Sequence, residues 1–159
     1  MVLGLLATSQ VFSQVKVLPP DEIQLLIPHY LKRFQRSEEL KGKLITIGNL
    51  QYSMCEQSFS NGKQRIKVLL FDFKDARIMY NQATREWKNF SPILTDSLTL
   101  QMIQMDNCSG WQSYKSSSKT SEIYVGICDR FFLTLTGERV ELELLKFFLN
   151  QFSFDKFPK

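Results

Sequence analysis

Two carboxylates beside a predicted strand end are the first side chains whose spacing could do chemistry. Asp72 and Asp75 flank the end of the predicted strand 65–73 and the start of a predicted helix. Carboxylates at this spacing can bind a hard cation. With Asp129 they could also supply the acid and base of a carboxylate-dependent or cation-dependent enzyme. The alternative, which the sequence favours, is that they are a turn residue and the helix N-cap.

Three cysteines form the second candidate set. Cys55, Cys108 and Cys128 lack the C-x-x-C spacing that is typical of metal sites. If the polar tip 116–119 centres a hairpin, Cys108 falls roughly opposite Cys128. Cross-strand Cβ atoms lie about 4.5–5.5 Å apart, which is close to bridging range, and an exported protein could form such a disulfide. The alternative is that all three are buried free thiols, which pack as small apolar side chains.

Aromatic residues form the third set. Trp111, Tyr114 and Tyr124 could line a ligand groove, since the strand that carries the first two can have one face in solvent. Aromatic residues also commonly fill the layer between a sheet and its helices, and Trp87 is expected there.

The common catalytic machineries are disfavoured by the remaining residues. His29 is the only histidine, so a Ser-His-Asp triad would have to use it. The seven glycines are dispersed and form no phosphate-binding loop. The sequence therefore predicts no cofactor and no catalytic residue.

The elements that must position these residues follow from hydrophobic periodicity. Asp75 is predicted to cap the second helix, and residues 33–43 are charged and predicted to be a loop. Strands are predicted at 44–58, 65–73, 98–105, 111–115, 122–128 and 131–136, and the last helix at 140–150. The order is helix, two strands, helix, four strands, helix. Hairpin connections predict an α+β fold with a mainly antiparallel sheet of about six strands and helices packed on it.

Composition limits the class of protein. A length of 159 residues suits one domain, and 43% hydrophobic with 23% charged residues is typical of a globular chain. The net charge of +4 comes from scattered residues, which disfavours nucleic acid as a partner. No apolar run reaches the roughly 20 residues that span a bilayer. We expect a monomer without a transmembrane segment in the mature chain.

The N-terminus indicates export. Residues 1–14 carry no charged side chain, and Val11-Phe12-Ser13 matches the small-residue pattern that signal peptidase recognises. Cleavage after Ser13 would make residues 1–13 a truncated signal peptide and 14–159 a single α+β domain. The alternative is an ordinary apolar N-terminal strand.

These segments together carry a resemblance. The N-terminal "FSQ" resembles the end of a signal peptide of the Bacteroidetes type. The other matching pieces are Leu26-Ile27-Pro28, residues 63–73, Gly110-Trp111, residues 129–132 before Gly137, and Leu144-Leu145-Lys146. The chain is similar to a family of uncharacterised secreted or periplasmic bacterial proteins, and its element order is similar to the α/β/α sandwich of PsbP-like proteins. The resemblance implies a location and a fold but no activity.

Three functions follow as hypotheses. The first is a non-enzymatic exported binding or interaction module of the periplasm or cell envelope, whose partner is an envelope protein or a small ligand. The second is an enzyme that uses Asp72, Asp75 and Asp129. The third is an envelope structural or stress protein without a small ligand.

Overall fold

A computed structural model describes residues 16–36, 39–105 and 108–159, and the predicted signal peptide lies outside these ranges. The strands are β1 (Gln35–Arg36), β2 (Lys41–Ile47), β3 (Leu50–Asn61), β4 (Gln64–Asp75), β5 (Ile93–Leu94), β6 (Leu98–Met105), β7 (Cys108–Lys115), β8 (Thr120–Ile127) and β9 (Phe131–Glu138). The α-helices are α1 (Pro20–Ile23), α2 (Arg77–Thr84) and α3 (Leu142–Leu149). Single 3-10 segments cover Gln24–Leu26, Arg85–Asn89 and Phe154–Lys156.

The described strands form one antiparallel sheet in the order β1-β3-β4-β9-β8-β7-β6-β5. Strand β2 also pairs with β3, on the same side as β1 and farther toward the start of β3. The prediction of an α+β fold with a mainly antiparallel sheet is confirmed. The predicted count of about six strands is wrong, because the described residues form nine. The predicted order of the elements is also wrong, because β1 and β2 precede β3 and the short strand β5 precedes β6.

The largest difference lies at the first hairpin. Residues 44–58 were expected to be one strand, but the chain reverses at Gly48-Asn49 and Ile47 pairs with Leu50. Gly48 has a φ of 58°, a left-handed conformation that glycine adopts without steric cost. Lys41 and Lys43 belong to β2 rather than to a loop, because an exposed outer strand accommodates lysine well.

One face of the sheet carries the main core, and we call it the α3 face. Helices α1 and α3 pack on it, with the 3-10 segment near the C-terminus. Its largest fully buried side chains include Phe59, Phe131, Phe148, Ile66, Leu70 and Leu133. The alternate residues of each strand therefore point to the opposite face.

The opposite face, which we call the α2 face, carries a smaller cluster of Phe73, Ala76 and Tyr80 with partly buried aromatic neighbours. Helix α2 begins at Arg77, and Ala76 precedes it without a side-chain cap. The predicted capping role of Asp75 is wrong, because Asp75 is the last residue of β4. Helix α2 packs mainly against β4 and β9, near the centre of the sheet.

Candidate functional site

A buried ion pair joins the end of β4 to the turn between β8 and β9. Arg130 Nε donates to Asp72 Oδ1 at 2.7 Å, and Arg130 Nη2 donates to Asp72 Oδ2 at 2.6 Å. Asp72 is fully buried and Arg130 is 3% exposed. The geometry is the two-point pairing that guanidinium and carboxylate groups favour. The two partners lie 58 residues apart in the sequence, so the pair joins distant segments rather than neighbours in one turn.

The ion pair also holds the N-terminal part of the described chain. The Leu18 backbone N–H donates to Asp72 Oδ2 at 2.8 Å, and Arg130 Nη2 donates to the Lys16 carbonyl at 3.1 Å. The Lys74 backbone N–H donates to Asp72 Oδ1 at 3.0 Å. Both carboxylate oxygens are thus engaged. The guanidinium nitrogen Nη1 of Arg130 is buried and has no hydrogen-bond partner among the described residues.

These contacts give Asp72 a structural role. Asp75 and Asp129 are exposed, so the three carboxylates of the predicted acidic set do not share one environment. Within residues 16–36, 39–105 and 108–159, no group of three His, Cys, Asp or Glu side chains is placed to hold a metal ion. The geometry therefore offers no support for a cation between Asp72 and Asp75.

An aromatic row crosses the α2 face. Trp111 on β7 stacks on Tyr124 of β8, with ring centroids 4.2 Å apart and ring planes 16° apart. Tyr124 lies 6.2 Å from Phe132 of β9, and Phe132 lies 6.2 Å from Phe71 of β4. Trp87, from the 3-10 segment after α2, stacks on Phe132 at 6.0 Å. Trp87 is half-buried, so it packs on the outer side of the aromatic row and is not a fully buried core residue.

The three predicted ligand-binding aromatics do not lie together. Trp111 and Tyr124 are cross-strand partners on the α2 face. Tyr114 pairs with Ser121 and lies on the α3 face, because residues three apart in a strand point to opposite sides. A hydrogen bond to Glu141 raises the pKa of Tyr114. Only two of the three residues can therefore contribute to one groove.

A groove of about 660 Å³ lies between α2 and the strands β6 and β7. Its apolar lining comes from Ile78, Trp87 and Met102, and its polar lining includes Gln104 and Ser109. Trp111 is the cross-strand partner of Met102, so the stacked pair borders the groove rather than lining it. Sequence patterns missed the groove, since it depends on where α2 docks.

Gly126 permits that docking. A Cβ atom at residue 126 would overlap the Tyr80 hydroxyl and lie 3.1 Å from the Trp87 ring. A glycine inside a predicted strand is the signal that could have indicated a close approach here. Burial raises the pKa of Tyr80 to about 12, and the nearby Asp129 and Cys128 contribute to the shift. The Tyr80 hydroxyl therefore remains a hydrogen-bond donor at neutral pH.

Two smaller cavities adjoin the groove at the β8–β9 turn. The middle cavity, of about 430 Å³, shares Tyr80, Gln104 and Ser109 with the groove and is also lined by Cys108 and Cys128. The other, of about 240 Å³, is lined by Arg130 together with Lys74 and Arg77, and we call it the cationic cavity. Asp129 lines all three, so the cavities are neighbours around this side chain, and we treat them together as the candidate site.

Cys108 and Cys128 were predicted to lie opposite each other in the hairpin, and they lie close to that arrangement but not in it. Cys108 pairs with Ile127, and Cys128 follows in the turn with a φ of 54°. All three thiols are free in this structure. Burial raises the pKa of Cys108 and of Cys55 to about 11, which keeps both protonated. Formation of a Cys108–Cys128 disulfide stays a prediction.

Comparison of the chain with protein-family models, curated proteins and solved structures gives no match. The predicted family and the PsbP-like resemblance therefore stay predictions. Within the described ranges, every helix is too short or too polar to span a bilayer.

Proposed function

We propose that this protein is a non-enzymatic exported binding module whose ligand lies in the groove between α2 and the sheet. The observation that carries the proposal is a groove of about 660 Å³ that is lined by Trp87, whose ring stacks on Phe132 of the partly covered aromatic row. Ligand pockets are typically concave and apolar, with a few polar groups that fix orientation. The groove has an apolar part, formed by Trp87, Met102 and Ile78, and a larger number of polar lining residues, which include Asn81, Gln82 and Arg85.

The aromatic pair extends the proposed binding surface. Trp111 and Tyr124 are half-buried and lie next to Met102, which is 43% exposed. A ligand with a flat apolar body could continue from the groove onto these rings by stacking.

The enzyme hypothesis receives less support. Of the three carboxylates that it requires, only Asp129 lines the groove, while Asp72 is held by Arg130. His29 lies on the surface, where its ring hydrogen-bonds Arg36 at 2.9 Å. A general base must lie within hydrogen-bond reach of its substrate, and these groups do not converge.

The binding proposal is tested with the neutral fluorescent probe N-phenyl-1-naphthylamine and the variant Ile78→Gln. Ile78 lines the groove and is 58% exposed, so it can be replaced without opening the core. Full burial of such a side chain is worth about 1.5–3 kcal/mol, and burial of the exposed part predicts roughly tenfold weaker binding.

The matched control is Ile47→Gln. Ile47 is 55% exposed on β2 and does not line the groove, so its replacement is expected to leave binding unchanged. Saturable binding that only Ile78→Gln weakens supports the proposal. An absence of saturable binding, as an envelope structural protein without a small ligand would show, overturns it, and so does an equal effect of both variants.

Export to the periplasm or the exterior is part of the proposal. It rests on the uncharged residues 1–14 and on Val11-Phe12-Ser13. N-terminal sequencing of the native protein is expected to begin at Gln14, and retention of Met1 would contradict export.

A further inference from the structure

The cationic cavity at the β8–β9 turn has the chemistry of an anion site. Four basic side chains line it, and Asp129 is its one acidic lining residue. The basic residues are Lys74, Arg77, Arg130 and Lys159. Its volume of about 240 Å³ is large enough for a carboxylate, sulfonate or phosphate head group.

Arg130 supplies the second, independent observation. Asp72 engages Nε and Nη2, which fixes the plane of the guanidinium group. The third nitrogen, Nη1, is buried without a partner among the described residues. A buried donor without a partner is costly in a folded protein, so an ordered water or an anion is a natural partner for this nitrogen. The same side chain lines the cationic cavity.

The cationic cavity also lies close to the proposed binding groove, because the two share Asp129 as a lining residue. It shares Cys128 and Lys159 with the middle cavity, which in turn shares Tyr80 with the groove. An apolar surface and a cationic end thus lie along one path on the molecule. We propose that the ligand is a small amphipathic organic anion, whose apolar body lies on Trp87 and Met102 and whose anionic head binds at Arg130 and Arg77.

This inference rests on the proposed function, because it assigns a ligand class to the same groove. It goes further by requiring that affinity depend on a negative charge. Arginine binds carboxylates, sulfonates and phosphates through paired N–H groups, and partial burial strengthens the interaction.

Two probes that differ by one charged group test the inference. The anion 8-anilinonaphthalene-1-sulfonate carries a sulfonate that the neutral N-phenyl-1-naphthylamine lacks. We expect the anionic probe to bind the wild-type protein about tenfold more tightly than the neutral probe. The double variant Lys74→Gln/Arg77→Gln should remove this difference and leave binding of the neutral probe unchanged, because both side chains are exposed and Arg130 stays in place.

The control pair is Lys63→Gln/Lys67→Gln. This pair removes the same number of positive charges as the double variant. Both lysines lie near the β3–β4 turn, at the end of β4 that is far from Lys74, and neither is a lining residue of the three cavities. The control pair is expected to leave both affinities unchanged. Asp129→Asn removes the acidic lining residue and keeps a side chain that tolerates the observed φ of 50°, so it should strengthen binding of the anion about threefold.

The outcomes separate the two proposals. Equal affinity for both probes, or an equal loss in the control pair, overturns the anion site and leaves the groove proposal intact. Binding of the anion that depends on Arg77, without any binding of the neutral probe, supports the anion site and overturns the apolar groove. Cosedimentation with phosphatidylglycerol vesicles that depends on Arg77 would place the anion on a lipid surface and overturn the free-ligand assignment.

Discussion

Substitution of Asp72 by Asn tests whether the buried ion pair stabilises the fold. The substitution keeps the shape of the side chain but leaves the Arg130 guanidinium, which is 3% exposed, without a counter-charge. Removal of one partner of a buried pair costs about 3–5 kcal/mol. The contacts with the Leu18 and Lys74 N–H groups would weaken as well, because they lose a charged acceptor. We therefore expect a loss near the upper part of that range.

The assay is urea unfolding followed by circular dichroism. With a slope of about 2 kcal/mol per molar urea, a loss of about 5 kcal/mol lowers the midpoint by roughly 2.5 M. The control is Glu143→Gln, which breaks an exposed pair with Lys146 and should cost at most about 0.5 kcal/mol. If Asp72→Asn costs no more than this control, the reasoning about the buried pair is refuted.

Two further predictions concern burial and close packing. The buried thiols of Cys55 and Cys108 have a pKa raised to about 11, so the folded state holds their protons more tightly and their contribution to stability is lost as pH rises from about 9 to 11. Urea unfolding of the reduced protein should give a free energy of unfolding that is lower at pH 10.5 than at pH 8, by up to roughly 2 kcal/mol per thiol. The variant with alanine at both positions should lack this difference. If the variant and the wild-type protein lose the same stability between the two pH values, the prediction is wrong. Gly126→Ala should displace α2, lower stability by about 1–3 kcal/mol and weaken probe binding, measured by thermal unfolding and by the fluorescence titration. Wild-type affinity in this variant would show that α2 does not form the groove wall.

Local patterns predicted the sheet because neighbouring residues determine strands and hairpins. The dipeptide Asn61-Gly62, for example, is typical of tight hairpin turns, and it lies at the β3–β4 turn, where Gly62 has a φ of 58°. Strands of two residues, such as Gln35–Arg36, are too short for any periodicity, so the count was too low.

The candidate site was harder to predict because it depends on contacts between distant segments. Asp72 was interpreted from its neighbour Asp75, whereas its partner Arg130 is 58 residues away. The separation of Trp111 from Tyr114 could have been predicted, since residues three apart in a strand lie on opposite faces. The groove itself could not, because no local pattern indicates where α2 packs.

The hydrogen bonds that hold residues 16–18 have a consequence for the order of folding. The Lys16 carbonyl is bonded to Arg130, 114 residues later, and the Leu18 N–H is bonded to Asp72, 54 residues later. A ribosome makes the chain from its N-terminus, so the bond to Asp72 can form only after residue 72 has been synthesised, and the bond to Arg130 only after most of the protein has been synthesised. Contacts of such long range also slow folding, because the intervening chain must first be ordered. The segment nearest the predicted cleavage site therefore cannot be fixed by the Arg130 contact until residue 130 has emerged.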